Sequence, residues 1–127
     1  MEPLEKELIN ACKIDYQAER NEMTLGIRDA LDIIDGKWKI LIIGTLSFRG
    51  KKRFMELLRE VDGIAAKMLS KELQELEINK LIKRTVCDTK PITVEYEITP
   101  YGKTLDKAII EIMKWGVEHR RTIMYQD

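Results

Sequence analysis

The residues best suited to catalysis are few and badly spaced for it. His119 is the single histidine in the 127-residue chain. No cysteine stands at ligand spacing from it, so no zinc site or other metal site is expected. The two cysteines, Cys12 and Cys87, make no disulfide framework. Cys12 falls on an apolar stripe and reads as packing, and the surroundings of Cys87 are only modestly cationic. There is no glycine-rich phosphate loop and no nucleophile elbow. Neither an enzyme nor a cofactor is expected. His119, Arg120 and Arg121 instead suit the negative end of a helix dipole.

The lysines offer a different chemistry. If residues 65–79 form a helix with Leu69, Leu73 and Leu76 inward, successive side chains turn by about 100°. Lys67, Lys71, Gln74 and Ile78 then point the opposite way, with Ser70 on the flank. A lysine supplies charge to a phosphate or to a guanine edge, and a glutamine can pair with adenine. A helix lying in a major groove meets bases mostly through its N-terminal residues. Ala65, Ala66, Lys67, Ser70 and Lys71 are therefore the expected contacts. Two further groups suit phosphate: Lys51-Lys52-Arg53, and Lys90 flanked by Thr89 and Thr93.

Charge distribution points the same way. The net charge is zero, but residues 1–36 carry a balance of −5 and residues 49–90 a balance of +4. A basic middle between acidic ends is expected where one face meets a polyanion. The same pattern also arises in an ordinary solvated surface, so the elements that carry the lysines must decide.

Residues 4–19 read as a helix, with Leu4, Leu8, Cys12 and Tyr16 four apart. Residues 20–24 are polar and read as a bend. Ile27, Ala30, Leu31 and Ile34 mark a short amphipathic helix that Asp35-Gly36 ends. The apolar run 37–47 reads as a helix buried on most sides, and residues 48–52 as a turn. Phe54, Leu57, Leu58 and Val61 make two helical turns, stopped by Asp62-Gly63. With the helix over 65–79 this is a helix-turn-helix. After residue 80 the period becomes two. Residues 81–87 and 93–98 read as a β-hairpin around Asp88-Thr89-Lys90-Pro91-Ile92. Thr99-Pro100 then starts a last helix over about 100–123, with Thr99 as N-cap and Pro100 in its first turn.

A hairpin directly after a helix-turn-helix is a wing. The expected fold class is mainly α with a small β-hairpin, a winged helix-turn-helix. One domain spans 1–127, with an N-terminal helix in 1–24, a core in 25–99 and a C-terminal helix in 100–127. The long end helices carry apolar faces that so small a core does not cover. Pairing of two copies covers them economically. The expected dimer interface is Leu4, Leu8, Cys12, Ile109, Ile112, Met113, Trp115 and Gly116. A small-molecule effector at the seam of Leu8, Cys12 and Trp115 stays open, since the same residues make an ordinary dimer core.

Several stretches are similar to the HxlR-type winged-helix regulators, a group related in fold to MarR. They are Ala30-Leu31-Asp32-Ile33-Ile34-Asp35-Gly36-Lys37-Trp38, Lys52-Arg53-Phe54 with Glu56-Leu57, Lys67-Met68-Leu69 with Leu73 and Leu76, and Val94-Glu95-Tyr96 with Ile98-Thr99 and Gly102. The resemblance spans about residues 25–117. It implies a prokaryotic transcription factor that dimerises through its terminal helices and binds palindromic double-stranded DNA. Trp38 and Glu95-Tyr96 read as structural, Trp38 as core. Two departures stand out. Many members carry Cys-Pro ahead of the Ala30 stretch, where this chain has Leu25-Gly26. Their reading helix commonly opens with Ser-Pro, where this chain has Ala65-Ala66.

A homodimeric, sequence-specific DNA-binding regulator in the cytoplasm is therefore expected. The alternative is a winged helix used only for protein interaction. No apolar run reaches the roughly 20 residues of a membrane span, and the first residues resemble no secretion signal.

Overall fold

The computed structural model describes residues 16–125. Two compact units succeed one another along the chain, Met1–Asp35 and Gly36–Asp127. In the first, α1 runs from Tyr16 to Ile34 without interruption. The bend expected at 20–24 is absent. That stretch contains no glycine or proline to break the backbone ladder, and Asn21, Glu22 and Thr24 are exposed on the helix surface. The helix stops as expected, with Gly36 at φ 81° just beyond it. Residues 4–15 of the expected first helix, with Leu4, Leu8 and Cys12, lie outside the described residues.

The second unit holds α2 (Lys39–Arg49), β1 (Lys52–Arg53), α3 (Phe54–Glu60), α4 (Ala66–Ile78), β2 (Ile82–Cys87) and β3 (Thr93–Ile98). A 3₁₀ turn over Gly102–Leu105 leads into α5 (Asp106–Met124). The core of this unit is aliphatic. Ile42, Ile43 and Leu46 from α2 are buried with Leu57 from α3 and Leu69, Leu73 and Leu76 from α4. Burying each of these side chains is worth roughly 1.5–3 kcal/mol relative to leaving it in water. Only one side of α2 is buried, because Leu41 and Phe48 are exposed. Trp38 is half-buried in the turn before α2, rather than a core ring. The Lys37 ammonium lies 4.7 Å from its ring centroid.

The hairpin is two-thirds of a three-stranded antiparallel sheet, ordered β1-β3-β2. Lys52–Arg53, expected in a turn, pairs with Tyr96 and Glu95. Two residues are too few to show a period of two, which is why this strand was not legible in sequence. β2 and β3 register Ile82 with Ile98, Arg84 with Tyr96 and Val86 with Val94 on one face. Lys83, Thr85 and Cys87 stand opposite Glu97, Glu95 and Thr93 on the other.

Thr99 ties the end of the sheet to the turn before α5. Its hydroxyl lies 2.8 Å from the Lys80 carbonyl and 3.0 Å from that of Leu81, and accepts the Gly102 amide at 2.9 Å. Gly102 is buried, and a Cβ there would stand 2.2 Å from the Leu81 carbonyl oxygen. The cap read from Thr99-Pro100 is thus real, but it closes a 3₁₀ turn, and the α-helix begins only at Asp106. The Ser47 hydroxyl donates to the Asp106 carboxylate, joining α2 to the start of α5.

Candidate nucleic-acid interface

The helix-turn-helix is α3 and α4, joined by a turn in which Gly63 takes φ 86°. That left-handed value suits a residue without Cβ. α4 then divides as its spacing predicts. Leu69, Leu73 and Leu76 are buried, while Lys67, Ser70, Lys71 and Gln74 are exposed. Neither Lys67 nor Lys71 makes an ion pair among the described residues. Ala65 and Ala66 are exposed at the helix start, and Ala65 is the N-cap residue, with no side-chain bond to the open amides.

One inward position on α4 was not anticipated. Glu72 is buried, and its Oε2 lies 2.5 Å from the Lys39 ammonium of α2. The same ammonium lies 2.6 Å from Glu75 Oε2. Burial alone would lower the Lys39 pKa, but the bonds and charges of Glu72 and then Glu75 outweigh it and hold the pKa above the ordinary lysine value. Lys39 therefore stays charged, and α4 is fixed to the helix behind it by ions as well as by leucines.

The far end of α4 is closed by a Schellman motif. The Lys80 amide donates to the Glu77 carbonyl at 2.9 Å and the Leu81 amide to that of Leu76 at 3.0 Å. Lys80 takes the left-handed position at φ 63°, where glycine is usual.

The basic turn is less free than its sequence implies. Lys51 lies 3.5 Å from Glu95 and 3.9 Å from Glu97, and Lys52 lies 3.4 Å from Glu60. Among the described residues Arg53 makes no ion pair, and its backbone amide donates to Glu56 at 3.0 Å. Arg53, Arg59 of α3 and Thr93 of β3 line one open cleft of about 780 Å³. At the hairpin tip, Thr89 lies 2.8 Å from the Pro91 carbonyl and 3.3 Å from the Thr93 hydroxyl. The loop is thus tied internally, and Lys90 is exposed, with no ion pair among the described residues.

Two arginines were missed by sequence. Arg59 lines the cleft just described together with Arg53. Arg84 of β2 lines a second recess, of about 350 Å³, with Ser70, Gln74 and Glu77 of α4. The signal for Arg84 was present, because it alternates in step with Ile82 and Val86 and so occupies an apolar position of the strand pattern.

On α5, Ile112, Met113, Trp115 and Gly116 are exposed and Ile109 is half-buried. His119 stacks on Trp115, with centroids 4.9 Å apart and planes 8° from parallel. It lies more than a turn from the helix end, so Arg121 alone of the expected trio serves the last turn. Cys87 is a half-buried free thiol. Among the described residues no cluster of His, Cys, Asp or Glu is arranged to hold a metal, and no helix is long and apolar enough to cross a membrane.

The pattern of the HxlR-like helix-turn-helix family matches residues 33–124. The chain is 38% identical over 101 residues to the HTH-type transcriptional regulator YtcD of Bacillus subtilis (strain 168), covering 80% of this chain and 79% of that protein. Its fold is similar to that of the redox regulator HypR in its reduced form, with a TM-score of 0.72 and 35% identity over 77% of this chain and 96% of the other. A MarR-family transcriptional regulator from Enterococcus faecalis V583 superposes with a TM-score of 0.68 at 37% identity, over 77% and 88%.

Proposed function

The chain belongs to the HxlR-like helix-turn-helix family of transcriptional regulators, and from that premise we propose that it is a homodimer that binds a palindromic operator through α4. The carrying observation is the outer face of α4, where Lys67, Ser70, Lys71 and Gln74 are exposed together. Lys67 and Lys71 supply charge to phosphate or guanine, and Gln74 suits adenine. Arg53 and Lys90 add backbone contacts to either side. Lys51 and Lys52 contribute less, since nearby carboxylates already offset them. Two copies would set their α4 helices in successive major grooves, about one helical turn apart.

The exposed stripe of Ile112, Met113 and Trp115 supports pairing through α5. Single exposed apolar residues are ordinary, but a row of them on one helix calls for a cover. The interior of a bacterial or archaeal cell, where operator DNA is found, is the proposed place of action.

The test begins with selection of bound fragments from genomic DNA, followed by titration of the recovered duplex at fixed salt. Lys67→Ala and Lys71→Ala are expected to weaken binding while the fold persists. Wild-type affinity in both variants would overturn the assignment of α4. Sedimentation of the full chain is expected to show a dimer. A monomer at micromolar concentration would overturn the pairing.

A further inference from the structure

We propose that Arg84 is a phosphate-binding residue, seated between the reading helix and the hairpin, that grips the DNA backbone where it passes from one to the other. This rests on the DNA-binding role proposed above. Arg84 sits in β2 between Ile82 and Val86, on the sheet face that also carries Tyr96 directly across from it. Ile82 and Tyr96 on that face are buried. Arg84 breaks the apolar pattern of the strand at the point where this face opens to solvent, since Arg84 and Val86 are themselves exposed. The break is not explained by an internal partner. Arg84 makes no ion pair among the described residues, although Glu77 lines the same recess.

What the recess offers is a set of donors. Ser70 on the flank of α4 and Gln74, one turn further along on its outer face, line the recess together with Arg84 of the strand, Leu73 and Tyr96. Glu77 lies a further turn along the helix, away from Ser70. A backbone phosphate suits this place better than a base edge does. Arg84 is set on the strand, to the side of the outward row of Lys67 and Lys71, and so flanks any base-reading surface rather than joining it. A guanidinium fork matches phosphate oxygens in pairs, and the Ser70 hydroxyl adds a further donor, while Gln74 stays with the base-reading row.

The test is a titration of the genomically selected duplex at several salt concentrations, using the full chain and its Arg84→Gln and Arg84→Lys variants. Loss of one phosphate contact lowers the slope of log affinity against log salt by about 0.9 per protomer bound. Arg84→Gln is expected to show that drop, with roughly tenfold weaker binding that is alike across operator sequences. Arg84→Lys is expected to restore the slope, because it returns the charge. Thermal melting of each variant checks its fold, and Arg84→Met, which retains the apolar stem, replaces Arg84→Gln if that variant melts early. An unchanged slope, even with weaker binding, overturns the proposal, because a merely structural arginine would act so. A change in which bases are preferred, with the slope intact, overturns it in favour of base reading. If the wild-type chain binds no duplex, both readings fall. If it binds and the Arg84 variants match it, this one alone falls.

Discussion

The two faces of α4 treat charge in opposite ways. On the inner face, Glu72 is 7% exposed and sits against Lys39, itself 4% exposed. On the outer face, Lys67 and Lys71 stand in solvent with no ion-pair partner among the described residues. The inner ions are shielded from salt and matched in place, so their effect is on structure. An uncompensated carboxylate left there is strongly destabilising. The outer charges contribute little to folding and are available to a ligand. One short helix thus separates the work of being held from the work of holding something else. The difference lies in burial, not in residue type.

The largest expected effect comes from breaking the inner face. Lys39→Met leaves Glu72 buried without its cation and is expected to cost roughly 3–5 kcal/mol in urea unfolding. Lys39→Met with Glu72→Leu removes both ions and should recover most of that loss. A cost below about 1 kcal/mol for the single variant would mean that the leucines alone fix α4. The pH dependence has a definite sign. A lysine whose folded pKa is raised stabilises fully below its unfolded pKa, near 10.5, and loses that contribution as pH rises further. The stability gap between wild type and Lys39→Met is therefore expected to stay level up to about pH 10 and to narrow above it.

Next in size are the outer lysines. Lys67→Ala and Lys71→Ala are each expected to change unfolding stability by no more than about 0.5 kcal/mol. Where either lysine meets a phosphate, its loss reduces the salt slope of DNA binding by about 1 per contact. A fall in stability of several kcal/mol would erase the contrast between the faces. At the start of the helix, Ala65 occupies the N-cap without a capping side chain. Ala65→Ser is expected to add about 1 kcal/mol of stability, read by thermal melting. The smallest effect belongs to the far end. Lys80→Gly relieves a left-handed residue and should be worth a few tenths to about 1 kcal/mol. A loss instead would show that the Lys80 side chain contributes packing that its exposure does not reveal.

Much of this could be read from residue order. The stripe Leu69-Leu73-Leu76 placed the outer face of α4, and the switch to period two after residue 80 placed the hairpin. Gly63 and Gly36 ended helices where expected, because left-handed turns favour glycine. The misreadings have physical causes of their own. Polar residues at 20–24 look like a bend only because helix exposure and loop exposure share a composition. The Thr99-Pro100 start was right in chemistry and wrong in product, since the Thr99 hydroxyl accepts the Gly102 amide at the head of a 3₁₀ turn, and the α-helix follows that turn. Lys51 and Lys52 read as free cations, because sequence does not show that Glu95, Glu97 and Glu60 lie across from them.

Residue order alone therefore determined the helix-turn-helix and the hairpin after it, the inner and outer sides of α4 and the family, all of which depend on spacing along one strand or helix. Tertiary structure decided which charges are free. Lys39 is consumed by Glu72 and Glu75, Lys52 by Glu60, and Arg84 is left open beside Ser70 and Gln74. A charge is free or spent according to what stands within about 4 Å of it, and each of these residues meets its neighbours on another element, through the way the elements pack rather than through spacing within one helix or strand.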